Sequence, residues 1–422
     1  MQFESLTFIL HTFGLILMQI ESLRQIMIGR FLEDNLTQAL KAMPVVVILG
    51  PRQVGKTTLA MDLAKSTLGK PIRYLDLELD SDLAKLDDAE SYLRRFENQL
   101  LVIDEIQRRP ELFKIIRGLV DIRKRAGERF GHFLLLGLAS KDFLQQTSES
   151  LAGRIRYLEL APFSVMELHQ DDPLGFNYEK LWFRGGFPDS YLAESENESW
   201  NWRHDFIATY VERDIPLFGP QVSATRMKRF WTMLSHYHGQ QAVLSEIGKS
   251  LEVSHTTIRT YLDILQDFFM VRQVQPWSGN TKKRLVKSPK IYIRDAGLLH
   301  NLLNISSFDQ LMGHPLVGAS WEGFVIENIL NQLSSKWVSS YYRSSNQSEI
   351  DLVLEGPDRE VWAVEVKKSI SPTVSSGFHR ACEDIHATRK FVLYAGSDQF
   401  PMKGGIEVVG LVEFLKLVQR AG

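Results

Sequence analysis

Three stretches in the first third of the chain are apolar without alternation: 44–49 (PVVVIL), 100–103 (LLVI) and 133–136 (FLLL). Runs of this length, bounded by turn residues, predict strands buried on both faces of a sheet. A further strand is expected over 74–78 (YLDLE), and 110–125 reads as a helix between two of the runs. Strands separated by helices imply a parallel α/β sheet with its ligand at the carboxyl edge.

The pattern changes downstream. Over 244–265 a short helical stretch, a turn at Val253-Ser254 and a second stretch with Ile258, Tyr261, Leu262 and Leu265 on one face read as helix-turn-helix, with Ser254 as the N-cap. Residues 348–354 and 361–367 flank Gly356-Pro357-Asp358 and predict a hairpin. The early apolar stretch 6–20 is interrupted by His11, Thr12 and Gln19 and falls short of the about 20 residues a membrane-spanning helix needs. Glu4 is the only charge before it and no small-x-small cleavage site follows, so it fails as a signal peptide too. Residues 1–26 are therefore expected to lie outside the fold, with Met27 opening the globular chain. No membrane association is expected.

These signals divide the chain into a nucleotide-binding core over 27–170, a helical linker or lid over 171–236, a winged helix-turn-helix over 237–286 and a second α/β domain over 287–422. With 422 residues, 44% of them hydrophobic and 24% charged, the composition is that of a folded multidomain protein. The single cysteine, Cys382, excludes an internal disulfide and a Cys-based zinc cluster, which fits a reducing cytoplasm.

The phosphate-binding signature is specific. Gly50-Pro51-Arg52-Gln53-Val54-Gly55-Lys56-Thr57 matches G-x-x-x-x-G-K-[ST] at every fixed position, directly after a predicted strand, and Thr58 continues into a predicted helix. Gly50 and Gly55 let backbone N–H groups approach phosphates, Lys56 reaches the β and γ phosphates of ATP, and Thr57 offers its hydroxyl to Mg²⁺. The strand over 100–103 ends in Asp104-Glu105, 48 positions after Lys56. Asp104 is expected to hold the metal, and Glu105 to polarise an attacking water, which favours ATP hydrolysis over phosphorylation of a small molecule. Ser140, at the end of the next strand, is a candidate γ-phosphate sensor.

Charge adds a local candidate for nucleic acid. Lys+Arg total 49 against 51 Asp+Glu, a formal net charge of -2, so a uniformly basic DNA-coating protein is excluded. Between 279 and 294, however, Lys282, Lys283, Arg284, Lys287, Lys290 and Arg294 occur without an acidic residue. DNA is thus a candidate partner through this run and through Arg259, with His255, Thr256 and Thr257, on the second helix of the helix-turn-helix. The alternative for the run is a solvated loop, or a face for the acidic segment 76–97 of a partner, and for the helix-turn-helix a winged helix packed on the nucleotide-binding core as a relay.

In the C-terminal half, a hairpin register pairing Glu355 with Val361 sets Asp351 opposite Glu365 and leaves Lys367 on their face. Asp, then Glu-x-Lys, suits metal-dependent phosphodiester cleavage, two carboxylates holding Mg²⁺ while the lysine acts on water. Glu322 or Glu327, on a predicted helix, would add a carboxylate. An ion-paired, half-exposed strand face is the competing reading.

Taken together, GPRQVGKTT, LLVIDEIQ, Ser150-Leu151-Ala152-Gly153-Arg154, Pro162-Phe163-Ser164, Gly185-Gly186-Phe187-Pro188, Tyr210-Val211-Glu212-Arg213-Asp214-Ile215 and Lys287-Ser288-Pro289-Lys290-Ile291-Tyr292 resemble one family. It is that of the prokaryotic AAA+-type ATPases with a C-terminal domain of uncharacterised function related to restriction endonucleases. The resemblance implies a C-terminal α/β restriction-endonuclease-like fold. It also implies a γ-phosphate contact from Arg154 in its own or a neighbouring subunit, and with the latter self-association. The functional expectation is an ATP hydrolase whose nucleotide state passes through the winged helix to a nuclease-like domain acting on or near DNA. Two alternatives are a nucleotide-gated signalling protein whose C-terminal domain binds a partner without cutting, and a transcriptional regulator.

Overall fold

The computed structural model describes residues 28–67, 70–138, 151–218, 222–279, 285–346 and 348–421. The expected N-terminal extension, Ser140 and the basic residues Lys282, Lys283 and Arg284 lie outside the described residues. Among those described, no helix is long and apolar enough to cross a membrane.

The first unit is a five-stranded parallel sheet, β1 (Val45–Leu49), β2 (Ile72–Asp76), β3 (Leu100–Asp104), β4 (Phe133–Gly137) and β5 (Ile155–Glu159), in the order β2-β3-β4-β1-β5. β1, β3 and β4 are buried along their whole length, as their unbroken apolar runs require. Helices α1 (Leu32–Ala42) and α2 (Lys56–Thr67) cover the face carrying Val46, Ile48, Val102 and Leu134. Helix α3 (Leu112–Arg125) covers the face carrying Val47, Ile103 and Leu135.

The middle of the chain packs onto the first face. Helix α4 (Val165–Asp171) begins in a capping box of Ser164 and Glu167. Next, α5 (Glu196–Thr209) winds into a π-helical turn, Tyr210–Asp214. It is followed by α6 (Ala224–Ser235), β6 (Gln240–Gln241), α7 (Leu244–Ser250), α8 (His255–Asp267), β7 (Val271–Val274) and β8 (Lys290–Ile293). The three strands form a sheet in the order β6-β8-β7. Ser254 caps α8 by accepting from the Thr257 N–H, as the sequence suggests. The boundary expected after residue 286 falls inside this unit, because β8 pairs with both β6 and β7.

The Gly185-Gly186 pair is explained here. Asp295 caps α9 (Ala296–Leu302), and its other carboxylate oxygen accepts from the Gly186 N–H at 2.8 Å. A Cβ on Gly185 would sit 2.1 Å from Asp295 Oδ1, so only glycine allows the approach.

The C-terminal unit is a six-stranded mixed sheet: β9 (Val338–Arg343), β10 (Glu349–Glu355), β11 (Val361–Val366), β12 (Arg389–Tyr394), β13 (Phe400–Met402) and β14 (Ile406–Gly410), ordered β13-β14-β12-β11-β10-β9. The hairpin register pairs Glu355 with Val361, as expected. Alternate residues feed two cores: Leu352, Leu354 and Val364 pack with α10 (Val317–Leu330) and α12 (Leu411–Ala421), while Val353 and Ala363 pack with α11 (Ser376–Asp384). Edge strand β9 is covered by the β7–β8 connection. The backbone N–H of Trp277 donates to the Tyr341 carbonyl at 2.7 Å and that of Val286 to the Arg343 carbonyl at 3.1 Å. That contact satisfies a row of backbone groups an open edge would leave bare.

Candidate functional site

The loop after β1 supplies the first site. Gly50 lies against β5: a Cβ there would meet the Leu160 carbonyl oxygen at 2.3 Å. Gly55 has φ +90°, in the left-handed region that suits glycine. Between them Pro51 and Val54 are buried, whereas Gln53, Thr57 and Thr58 remain exposed to a ligand. The Val54 carbonyl accepts from Arg30 Nη1 at 2.8 Å, and Arg30 Nε pairs with Glu167 at 3.0 Å, so the loop is braced from both flanks.

Lys56 is buried, its ammonium donating to the carbonyls of Gly50 at 2.9 Å and Pro51 at 2.7 Å. Burial, with Arg52 nearby, lowers its pKa to about 8, against the pull of Glu105 and Asp104. Thr57 Oγ1 donates to Asp104 Oδ2 at 2.7 Å, and the Tyr74 hydroxyl donates to the same oxygen at 3.0 Å. Glu105 has φ 55° and ψ 42°, a left-handed conformation costing a non-glycine residue about 1–2 kcal/mol. That turn brings its carboxylate to Gln107, which donates from Nε2 to Glu105 Oε2. Burial raises the Glu105 pKa, opposed by Lys56 and Arg52. A hydroxyl, two carboxylates and a lysine thus converge at the carboxyl edge of β1 and β3. These oxygen donors and this ammonium fit Mg²⁺ and a phosphate chain.

Arg52 projects from the same loop to acidic groups on other elements. It donates to Glu78, pairs with Asp214 Oδ1 through Nη1 at 2.9 Å and lies 4.0 Å from Glu105 Oε1. Tyr74, Gln107, Glu78 and Asp214 were not foreseen as parts of the site. A polar residue two positions past Asp-Glu was a readable signal for Gln107; nothing local signals Asp214, 162 positions from Arg52.

Arg154 requires a correction. It stands at the amino end of β5, where its carbonyl accepts from Val45 and its guanidinium pairs with Asp121 at 2.8 Å. The phosphate-binding loop leaves the opposite end of the paired strand β1, five residues or about 16 Å away at 3.3 Å per residue. A γ-phosphate contact within its own chain is therefore excluded by the sheet's direction.

A second cluster lies at the C-terminal hairpin. Asp351 and Glu365 are buried. Asp351 Oδ2 accepts from the Val366 N–H at 2.9 Å, and Lys367 donates to Glu365 Oε1 at 2.6 Å. Glu322 joins them from α10, accepting from the Tyr292 hydroxyl at 2.6 Å. Burial and then the Asp351 charge raise Glu322 to about 7 and Glu365 to about 8.

Three charged residues take other places than expected. Lys290, read as a nucleic-acid contact, has only 2% of its side chain exposed; its ammonium lies 2.9 Å from Glu349, 3.1 Å from Glu322 and 3.6 Å from Asp351. Glu327, read as a metal ligand, is instead paired with Arg272 at 2.7 Å and Arg294 at 2.6 Å, which hold its pKa down at about 2. Arg294, part of the basic run, has only 9% of its side chain exposed and also pairs with Glu159 at the end of β5. Of the nucleic-acid candidates, Arg259 and Lys287 are exposed. No group of three or more His, Cys, Asp or Glu side chains among the described residues is disposed to hold a metal ion. As arranged, the C-terminal carboxylates fit lysine ammonium groups and do not fit an ion.

Three domain models match in succession: an AAA domain over residues 42–169, a domain of unknown function (DUF8612) over 175–309 and another (DUF4143) over 317–414. Uncharacterized proteins of Mycobacterium tuberculosis and Mycobacterium bovis are each 41% identical over 375 residues, 89% of this chain and 82% of theirs. The chain belongs to the family of these mycobacterial proteins. Its first unit is an AAA-type P-loop ATPase domain, and the AAA-domain match ends within α4, before the second match opens at residue 175.

Solved structures are more distant from this AAA-domain family member. A RuvB mutant of Thermotoga maritima is 18% identical, covering 59% of this chain and 90% of that one, with a TM-score of 0.30. ORC1 of Aeropyrum pernix in complex with DNA is 14% identical, covering 67% and 92%, also with a TM-score of 0.30. The replication initiator DnaA bound to AMPPCP and single-stranded DNA is 14% identical, covering 57% and 90%, with a TM-score of 0.32.

Proposed function

We propose that this protein hydrolyses ATP with Mg²⁺ at the β1–α2 loop, and that the nucleotide state is passed through the middle unit to the C-terminal unit. The observation that carries the reading is the convergence of Lys56, Thr57, Asp104 and Glu105 at one sheet edge. Thr57 and Asp104 would hold Mg²⁺, which when bound supplies positive charge against the phosphates. Lys56 exchanges its carbonyl partners for phosphate oxygens, and loop N–H groups bind the anion. Glu105 holds and orients the attacking water and accepts its proton; a carboxylate whose pKa is raised by burial is a better base than a solvated one. Gln107 fixes that carboxylate.

The helix–strand–helix–helix–hairpin order of α6 to β8, with its β6-β8-β7 sheet, supports reading the middle unit as a winged helix. Its wing, the β7–β8 connection, runs along the C-terminal sheet. That connection, with the Arg294 bridge between Glu159 and Glu327, supplies a physical route between the units. The C-terminal unit is read as restriction-endonuclease-like from its mixed sheet and its Asp351, Glu365 and Lys367. DNA is the proposed partner, through Arg259, Lys287 and the basic residues 282–284.

A second reading, a nucleotide-gated domain that binds its partner without cutting, is favoured by Lys290, which sits among the carboxylates where a catalytic ion would have to lie. One experiment separates them. Purified wild type, Glu105→Gln and Asp351→Ala are assayed for ATP turnover and for cleavage of duplex and single-stranded DNA with Mg²⁺ or Mn²⁺. Loss of ATP turnover in Glu105→Gln supports the ATPase reading and wild-type turnover there overturns it. Cleavage lost in Asp351→Ala supports the nuclease, and DNA binding without cleavage supports the second reading.

A further inference from the structure

Arg154 cannot reach the phosphates of its own chain, yet an arginine already stands at the site. Arg52 lies within the loop between the two glycines. Its Nη2 is 4.0 Å from Glu105 Oε1, the carboxylate read as activating water. That neighbour places the guanidinium on the γ-phosphate side of the loop, because the base must face the phosphorus under attack. The guanidinium is not fully exposed, with 16% of its side chain accessible, and it faces three carboxylates: Glu78, Glu105 and Asp214.

Asp214 is the informative partner. It ends the π-helical turn Tyr210–Asp214, and its side chain is only 4% exposed. Single π turns inside α-helices recur at functional sites, since they re-aim one residue at the cost of helical hydrogen bonding. Four residues earlier, the buried Tyr210 donates its hydroxyl to the Phe268 carbonyl at 2.7 Å, at the C-terminal end of α8. Two side chains on one turn thus connect the phosphate-binding loop to the helix-turn-helix. Burial raises the Asp214 pKa against the influence of Arg52, so the pair is the main compensation that carboxylate has.

We propose that Arg52 is the arginine that contacts the γ-phosphate within the same chain, and that Asp214 is the partner it leaves when a triphosphate binds. The inference rests on the ATP-hydrolysis reading above and names a residue and a relay within it. A γ-phosphate is a stronger, multiply charged acceptor than one carboxylate and lies on the side Arg52 already faces. ADP carries no such group and leaves Arg52 on Asp214. Release of Asp214 frees the π turn and, through Tyr210, the end of α8. Arg52 therefore distinguishes ATP from ADP, and its exchange of partners reports the difference to the middle unit.

The test measures ATPγS and ADP affinities by fluorescent-nucleotide displacement, and kcat for ATP, in wild type, Arg52→Gln, Arg52→Lys and Asp214→Asn. Arg52→Gln should weaken ATPγS about tenfold, leave ADP within twofold, and lower kcat by about 10³-fold, the scale of a γ-phosphate arginine. Arg52→Lys should recover part of both losses. Asp214→Asn, which removes the competing carboxylate, should tighten ATPγS more than ADP. Unchanged kcat together with an unchanged ATPγS-to-ADP affinity ratio in Arg52→Gln would overturn the assignment while leaving the ATPase reading intact. A wild-type protein that binds neither nucleotide would remove the reading and this inference with it.

Discussion

Thr57 Oγ1 and Asp104 Oδ2 lie 2.7 Å apart, joining the first turn of α2 to the end of β3. The two elements meet because β1 and β3 flank β4 in one parallel sheet, so their carboxyl ends rise to the same edge. Lys56→Ala should abolish nucleotide binding, since no other ammonium donates inside the loop. Glu105→Gln should bind ATP at near wild-type affinity and lose turnover by about 10²–10⁴-fold, the usual contribution of a general base. Equilibrium nucleotide binding and phosphate release on the same preparations check both.

Arg154 makes a different prediction from the other charged residues near the ATPase sheet. Because it sits at the amino end of β5, any part it plays in hydrolysis requires a second chain. Specific activity of wild type and Arg154→Ala should therefore coincide in dilute protein and separate only as concentration rises. A deficit that persists at all dilutions would contradict the placement.

The partly buried ion cluster of Glu327, Arg272 and Arg294 is predicted to matter for stability. Glu327→Leu leaves Arg272, whose side chain is 25% exposed, without its carboxylate and leaves Arg294 with Glu159 alone, so the loss should fall below the about 3–5 kcal/mol of breaking a fully buried pair. Denaturant unfolding should report this, while nucleotide affinity stays near wild type.

Lys290→Met removes the ammonium shared by Glu322, Glu349 and Asp351. The remaining carboxylates repel one another and are expected to accept a divalent cation in its place. Mn²⁺ should then raise the melting temperature of Lys290→Met and not that of Lys290→Met combined with Asp351→Ala. Wild type, with the lysine in place, should show no such shift from this site.

Acid stability follows from two buried histidines. His300 lies between the Phe183 carbonyl and the Ser320 hydroxyl, and His238 Nδ1 accepts from the Ile293 N–H; burial lowers both to about 3. Each folded pKa is below the unfolded value of about 6.5, so the unfolded chain binds protons first as pH falls. The histidine contribution to stability is full above pH about 6.5 and declines below it by about 1.4 kcal/mol per pH unit for each histidine. Glu322 and Glu365, raised to about 7 and about 8, bind protons first in the folded chain and oppose this trend, so the check is a difference: the urea midpoint of wild type relative to His300→Gln should fall between pH 7.5 and 5.

The P-loop was legible in sequence because its chemistry is local: two glycines, a lysine and a threonine act from one strand–loop–helix. The strand that ends in Asp104 was legible for the same reason, and the alternation about Gly356 was enough to set the hairpin register that pairs Glu355 with Val361. The resemblance of the motif set to AAA+-type ATPases likewise agreed with the AAA-domain match. Composition could not show which charges of the basic run face water: Lys290 and Arg294 lie on or beside a strand that both later units cover. Burying an ammonium is tolerated only where carboxylates converge on it, and Glu322, Glu349 and Asp351 are 32, 59 and 61 positions away. In the same way, sequence named Arg154 for its motif in its own or a neighbouring subunit, whereas the parallel direction of β5 put it at the end of the sheet away from its own chain's loop. It placed Tyr210-Val211-Glu212-Arg213-Asp214-Ile215 in the family pattern without a task, and only the fold carried Asp214 to Arg52. Residue type and local spacing thus determined what each loop can do; the packing of one unit on another decided which charges meet.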